Sequence, residues 1–496
     1  MTWEDFERRM HELSDLKGVI GLLGWDEETY TPSQGRAARG RQTGTLEAIK
    51  HRWLVDPALE DAIAGLLADT SLEEERRVMV ERVDRERRLA ARVPESLVKR
   101  FAEARSASLS AWQAAKTEDD FASFAPHLET IVSILRERAD ALGSETGNRY
   151  DALLEEYEPG MTEARLTPVL DALVKGLVPI VEELAEGTAP DASFLAKKYG
   201  DAGQWDFTMR VLADLGFALD RGRQDRSAHP FTATSSEDDV RVTTKILEDH
   251  LTTSIFSTIH ECGHGLYEQG FDPAHARTSL AAAPSMGLHE SQSRLWENQI
   301  GRSLPFWRRY LPVLAEHFGA QLEGVTPEQF YGAVNRVERS FIRTEADEVT
   351  YNLHIALRYE LERALLSGDL APKDLPGAWN EKMEKYLGVT PPDDAHGCLQ
   401  DIHWAWGAIG YFPTYSIGNL YSAQLLAAYE AERPELWDDV EAGDFARLLS
   451  WLREKVHRVG YRYDAEEIVR RATGSGLQVA PLVDALRAKY RPLYGL

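Results

Sequence analysis

Five consecutive residues, His260-Glu261-Cys262-Gly263-His264, form the pattern H-E-x-x-H. On an α-helix each residue advances about 100°, which leaves His260 and His264 about 40° apart and one turn up the same face. Two imidazoles so placed can share one metal ion. Glu261 falls about 60° from His264 on the adjoining face, where its carboxylate can take a proton from a metal-activated water without being a ligand. The competing reading is a helix with two ordinary histidines. Cys262 and Gly263 point away from the metal face, so Cys262 reads as packing. Gly263 and Gly265 each weaken a helix by about 1 kcal/mol relative to Ala, which suggests close helix packing or room for substrate.

A catalytic zinc takes three protein ligands and keeps one position open. The segment Gly287-Leu288-His289-Glu290-Ser291-Gln292-Ser293-Arg294-Leu295-Trp296-Glu297-Asn298 lies far enough past His264 for one helix to end and a second to return. Glu290, at the expected start of that return helix, is the leading third ligand and would complete a His2Glu set. His289 is its rival and Glu297 a more distant one; a solvated, charged helix start is the plain alternative. Zinc is the default ion, and open sites of this type also accept cobalt or manganese.

Two further constellations have chemical potential. In Ile342-Arg343-Thr344-Glu345-Ala346-Asp347, a helix would put Arg343 and Asp347 at i, i+4, with Asp347 fixing the guanidinium and leaving its fork free for a carboxylate. An ordinary intrahelical ion pair is the commoner arrangement. The second is His396-Gly397-Cys398-Leu399-Gln400-Asp401-Ile402-His403-Trp404, followed by Trp406, Tyr411, Phe412, Tyr415 and Tyr421. It mixes polar donors with aromatic rings as pocket walls do. A second metal on His396, Asp401 and His403 would need a spacing that matches no known zinc pattern.

These residues need a scaffold, and the composition is that of a globular one: 496 residues, 43% hydrophobic and 28% charged, with 12 Trp, 18 Tyr and 16 Phe to fill a large core. The net charge of −25 repels phosphate backbones and anionic membranes. Nucleic acid and membrane are therefore not expected partners, and solubility is the plain reading of the charge. Two cysteines, Cys262 and Cys398, make no disulfide framework. The acidic N-terminal residues carry no apolar h-region, and no run of eighteen apolar residues occurs. A cytoplasmic location is expected.

Most of the chain has helical periodicity. Residues 72–93 end at Pro94; a new helix runs from Pro94-Glu95-Ser96 through Trp112; residues 119–143 and 162–187 repeat apolar positions at i, i+3, i+4. Glu158-Pro159-Gly160 is a turn between helices. Residues 229–234 and 239–244, rich in Thr, Val and Phe around a turn-like 235–238, predict a β-hairpin beside the motif helix. Its edge could pair with an extended peptide. With no repeat, low-complexity tract or linker, residues 1–496 are expected to form one mainly α-helical domain.

Taken together, the residues resemble the Taq-type thermostable metallocarboxypeptidase family. Five signatures occur in order: D-x-R-x-T at Asp239-Val240-Arg241-Val242-Thr243, H-E-x-x-H at 260–264, H-E-S-x at His289-Glu290-Ser291-Gln292, I-R-x-x-A-D at 342–347 and G-x-x-Q-D-x-H-W at 397–404. The likeness extends to Leu22-Leu23-Gly24-Trp25-Asp26, Tyr157-Glu158-Pro159-Gly160-Met161-Thr162 and His229-Pro230-Phe231, and covers essentially the whole chain. The resemblance implies a helical zincin with a deep substrate groove, a small β-sheet at its wall, and a homodimer. It implies release of single C-terminal residues from peptides, with broad specificity that disfavours proline. Carried over motif by motif, His260, His264 and Glu290 hold the metal, Glu261 is the base, Arg343 binds the terminal carboxylate, and His403 and Tyr415 line the catalytic pocket. Arg241, Gln400 and Asp401 join the substrate-binding set; Asp239 belongs to a family motif without an assigned role. The stretch Glu27-Glu28-Thr29-Tyr30-Thr31-Pro32 is more polar than the family pattern, which puts groove-wall detail in question and leaves the chemistry untouched. Two rival functions share the metal site: a helical zinc oligopeptidase cutting internally, and a silent scaffold that binds peptides. Intact Glu261 speaks against the scaffold.

Overall fold

The computed structural model describes residues 2–496. Helices dominate, and the periodic segments fall where their patterns put them: Glu74–Arg92, Glu95–Glu118, Phe121–Leu142 and Glu163–Leu184. Pro94 stops one helix and starts the next, because a proline restricts the residue before it yet suits a helix start. Gly160 sits at φ +76°, in the left-handed region that the turn after Pro159 requires and that glycine adopts at least cost.

The expected hairpin is present with shifted bounds, β2 (Thr232–Ser236) antiparallel to β3 (Asp239–Thr244), with a bulge between Thr234 and Ser236. A third strand, β1 (Gly222–Arg226), runs parallel to β3 and makes the order β1-β3-β2. Gly-Arg-Gln-Asp-Arg has no apolar alternation and so carries no strand signal. Side-chain bonds hold it instead: the Gln224 amide nitrogen donates to Thr208, and Asp225 accepts from Arg223 and Tyr30.

The first helix (Trp3–Thr29) lies on β2. A Cβ on Gly18 would stand 2.3 Å from the Ser235 carbonyl oxygen, and one on Gly21 would stand 2.9 Å from that of Thr234. That stretch of the hairpin is covered by the chain itself, while its Thr232 end faces the motif helix (Leu251–Glu268). The N-terminal helices share a small core of their own around Phe6, Leu13, Leu59, Ile63 and Val80, beside the main core.

The motif helix packs against a return helix (Met286–Arg294). A Cβ on Gly263 would meet the Gln292 carbonyl oxygen at 2.5 Å and the Ser293 Cα at 2.6 Å, and one on Gly265 would meet Phe217. Both glycines thus serve close packing. Cys262 and Cys398 are free and buried. No described helix is long and apolar enough to cross a membrane.

Candidate active site

His260 and His264 project from one face of the motif helix toward the return helix, where Glu290 meets them. The Glu290 Oε2 atom is 3.6 Å from His260 Nε2 and 3.4 Å from His264 Nε2. Tetrahedral zinc with bonds of about 2.0–2.1 Å separates its ligand atoms by roughly 3.3 Å, so Glu290 stands near ligand-to-ligand distance from each imidazole, and one donor atom from each of the three lies within 4.8 Å of the others. They are the one group of three metal-ligating side chains this close together among the described residues. Glu290 is the fifth residue of the return helix rather than its first, because Ser285 caps the helix further upstream.

Each ligand is oriented from behind. Arg294, one turn beyond Glu290, donates to Glu290 Oε1 at 2.7 Å, and the Ser293 hydroxyl donates to Oε2 at 3.1 Å, the oxygen that also faces the two imidazoles. Burial alone would raise Glu290; Arg294 and the two imidazoles outweigh it and hold the carboxyl well below its usual range. His260 Nδ1 lies 2.9 Å from Glu297 Oε2, and Glu297 also accepts from Arg294 and Arg302. Glu297 sits in a π-helical turn, Leu295–Ile300, that continues the return helix; such turns often mark functional sites. His264 Nδ1 faces His289 Nδ1 at 2.6 Å, and His289 Nε2 faces Glu268 at 2.8 Å. With Nε2 of His264 turned to the ion, its Nδ1–H donates to His289, whose Nε2–H donates to Glu268. The two rival ligands therefore stand behind the histidines. Burial pushes His264 down to about 3, which suits a neutral ligand.

Glu261 is buried at the rim, and the Thr232 hydroxyl donates to its Oε2 at 2.6 Å. Burial raises its carboxyl above the usual value, the direction a general base needs.

The second half of the site departs from the helix expected at 342–347. Arg343–Glu345 is a single 3-10 turn that ends in extended backbone at Ala346, so Arg343 and Asp347 share no helical face. Asp347 instead accepts from the backbone amides of Glu338, Val349 and Thr350. The partner of Arg343 is Asp401: Nε and Nη2 donate to its Oδ1 at 3.0 and 2.9 Å. Fully buried Arg358 donates to the other oxygen of Asp401. Gln400 Oε1 accepts from the Arg343 amide and from Arg358, so Gln400 and Asp401 bear on Arg343 itself. Arg343 Nη1 donates to the Tyr351 hydroxyl at 3.0 Å, and its guanidinium lies 5.2 Å from the Tyr415 ring. Among the described residues, Tyr351 takes one N–H of Nη1 and Asp401 one of Nη2, which leaves one N–H on each terminal nitrogen for a bound carboxylate to meet as an end-on fork.

Tyr351 joins the two halves, because its ring also lies 4.7 Å from the Arg294 guanidinium. His403 Nε2 is 3.5 Å from the Tyr415 hydroxyl, and burial with the two arginines pushes His403 down to about 4. Arg241 pairs with both oxygens of Asp239 and stacks over Trp25 at 4.2 Å. His396 pairs with Asp393 at the surface, and Asp401 is engaged by arginines, so no second metal cluster forms with His403. Sequence reasoning missed Arg294, Tyr351, Arg358, Thr232 and Glu268. Only Arg294, at i+4 from Glu290, left a local signal.

A family model described as carboxypeptidase Taq (M32) metallopeptidase matches residues 5–490. Thermostable carboxypeptidase 1 of Thermus thermophilus is 41% identical, over 99% of this chain and 98% of its own length. Carboxypeptidase 1 of Bacillus subtilis is 38% identical over 99% of both. The crystal structure of the M32 carboxypeptidase from Deinococcus radiodurans R1 superposes with a TM-score of 0.98 at 41% identity, covering 100% of this chain and 99% of that one.

Proposed function

We propose a reaction from one premise: the chain belongs to the carboxypeptidase Taq (M32) metallopeptidase family and is a metallocarboxypeptidase, a peptide hydrolase. Its metal would be zinc, held by His260, His264 and Glu290, with cobalt or manganese as substitutes. When bound, the ion supplies Lewis acidity and lowers the pKa of a coordinated water. The substrate peptide enters with its C-terminus first, and its terminal carboxylate meets the end-on fork of Arg343. Glu261 takes the proton of the attacking water and passes it to the leaving amine. The Tyr415 hydroxyl, with neutral His403 behind it, donates to the oxyanion as it develops.

One observation carries this reading. Two buried guanidiniums, Arg343 and Arg358, share the single carboxylate of Asp401. The cluster is one negative charge short, and a buried charge without a partner is costly. A peptide's terminal carboxylate supplies that charge, which makes the reaction removal of one C-terminal residue rather than internal cleavage.

Specificity would be broad, with C-terminal proline disfavoured because its scissile nitrogen carries no hydrogen to bond. The two free, buried thiols support a reducing compartment, the cytoplasm, and the family likeness supports a homodimer. The test is Glu261→Gln: the variant should bind zinc as the unaltered enzyme does and lose at least about 10²-fold in kcat. Near-normal turnover by the zinc-loaded variant would end the general-base assignment.

A further inference from the structure

We propose that Glu158 is a positioning residue for the metal site: its buried carboxyl fixes the N-terminus of the return helix and, through that helix, Glu290. The inference rests on the reading of His260, His264 and Glu290 as the ligand set.

Glu158 takes no part in the chemistry above, yet it is only 3% exposed. Its Oε1 accepts from the Gly287 amide at 2.5 Å. The amides at the start of a helix have no partners within the helix. Here each has one. Met286 donates to the Tyr157 carbonyl, Gly287 to Glu158, Leu288 to the Ser285 hydroxyl and His289 to the Ser285 carbonyl. Two of the four acceptors thus come from the turn at Tyr157-Glu158-Pro159-Gly160, a distant stretch of chain.

The fit around the return helix leaves little room for it to move. A Cβ on Gly287 would stand 2.7 Å from the Ile417 side chain and 2.8 Å from Glu158 Oε1. One turn further on, Glu290 lies so close to Gly418 that a Cβ there would be 2.7 Å from its Cγ. The helix is wedged between the motif helix and Pro413–Glu432, and Glu158 closes its open end. A small slide or rotation at Gly287 would be passed directly to the Glu290 carboxylate.

Burial pushes the Glu158 carboxyl up to about 8, so near neutral pH it is largely uncharged and an amide of the same shape should replace it. The experiment measures zinc affinity of the full-length protein by chelator competition. Glu158→Leu should weaken zinc about tenfold or more, the scale seen when groups behind metal ligands are removed. Glu158→Asp, one methylene short of Gly287, should weaken it by several-fold and keeps the test alive where Glu158→Leu does not fold. Glu158→Gln should stay within about threefold. Leu173→Ala, a cavity in the core helix Glu163–Leu184, should lower Tm and leave zinc affinity unchanged. Unaltered affinity in Glu158→Asp and Glu158→Leu, beside a clear loss in Glu290→Gln, would overturn the inference. Unaltered affinity in Glu290→Gln would overturn the ligand assignment itself.

Discussion

The metal end of the site is built from two neighbouring helices and gathers carboxylates, with Glu261, Glu268, Glu290 and Glu297 set against Arg294 and Arg302. The carboxylate-binding end is built from a 3-10 turn, a helix and a loop, and gathers cations, with Arg343 and Arg358 set against Asp401. One end is short of positive charge and the other of negative charge. The first deficit suits a divalent cation, the second a peptide's terminal carboxylate. Tyr351, with Arg294 under its ring and Arg343 on its hydroxyl, couples the two ends and sets the span between them. On the proposed reading, specificity for chain ends and hydrolytic chemistry are carried by separate electrostatic devices, which can be broken one at a time.

Breaking the cationic end should have a larger effect than removing a group that stands behind a metal-end histidine. Arg343→Ala is expected to lower kcat/KM on a free-acid peptide by about 10²-fold or more, since it strips a buried charged partner from the substrate and leaves Asp401 to Arg358 alone. Arg343→Lys should not restore the rate, because an ammonium cannot hold Asp401 and present a fork at once. Steady-state kinetics decide this, and a lysine variant within about threefold of the unaltered enzyme would refute the fork geometry.

At the metal end, His289→Ala should weaken zinc binding by about tenfold, because His264 loses the acceptor that fixes its ring. Once loaded, this variant should keep its KM for peptide within about twofold, since the cationic end is untouched. A raised KM in the loaded enzyme would show that the two ends are not separable.

The smallest effect sharpens the support behind the cationic end. Buried Glu362 accepts from Tyr150, the Trp404 indole and the Gly410 amide, holding the loop that carries His403. Burial pushes it from 4.5 up to about 7. A raised carboxyl costs nothing below 4.5; the cost grows as the unfolded chain ionises and levels off above about pH 7. The Tm of Glu362→Gln relative to the unaltered enzyme should therefore rise by a few °C on the order expected for such a shift, going from pH 4 to pH 8. A difference that stays flat with pH would mean the group is ionised in the fold.

The same contrast explains what the sequence could tell. His260, Glu261 and His264 lie within one helical turn, so their geometry follows from helix periodicity, whereas spacing alone left Glu290 as the leading candidate beside His289 and Glu297, and the structure sets it one turn into the return helix. Helix boundaries were legible where Pro94 and Gly160 punctuate the pattern. The Arg343 environment was not, since Asp401 and Arg358 reach it across long stretches of chain, and local spacing pointed instead to Asp347. Strand β1 was hidden because its residues are polar and do not alternate, and contacts to Thr208 and Tyr30 from distant chain hold it in the sheet. The family signatures brought Arg343, Gln400 and Asp401 into one set without saying how they touch.

The most direct test follows one unstructured peptide by mass spectrometry over time, as the free acid, as its C-terminal amide and with a terminal proline, each with and without added zinc or cobalt. A metal-dependent ladder from the C-terminus of the free acid, a resistant amide and a slow proline peptide are the predicted result. Internal fragments from both acid and amide, or a ladder from the amide as fast as from the acid, would contradict recognition of the terminal carboxylate by Arg343.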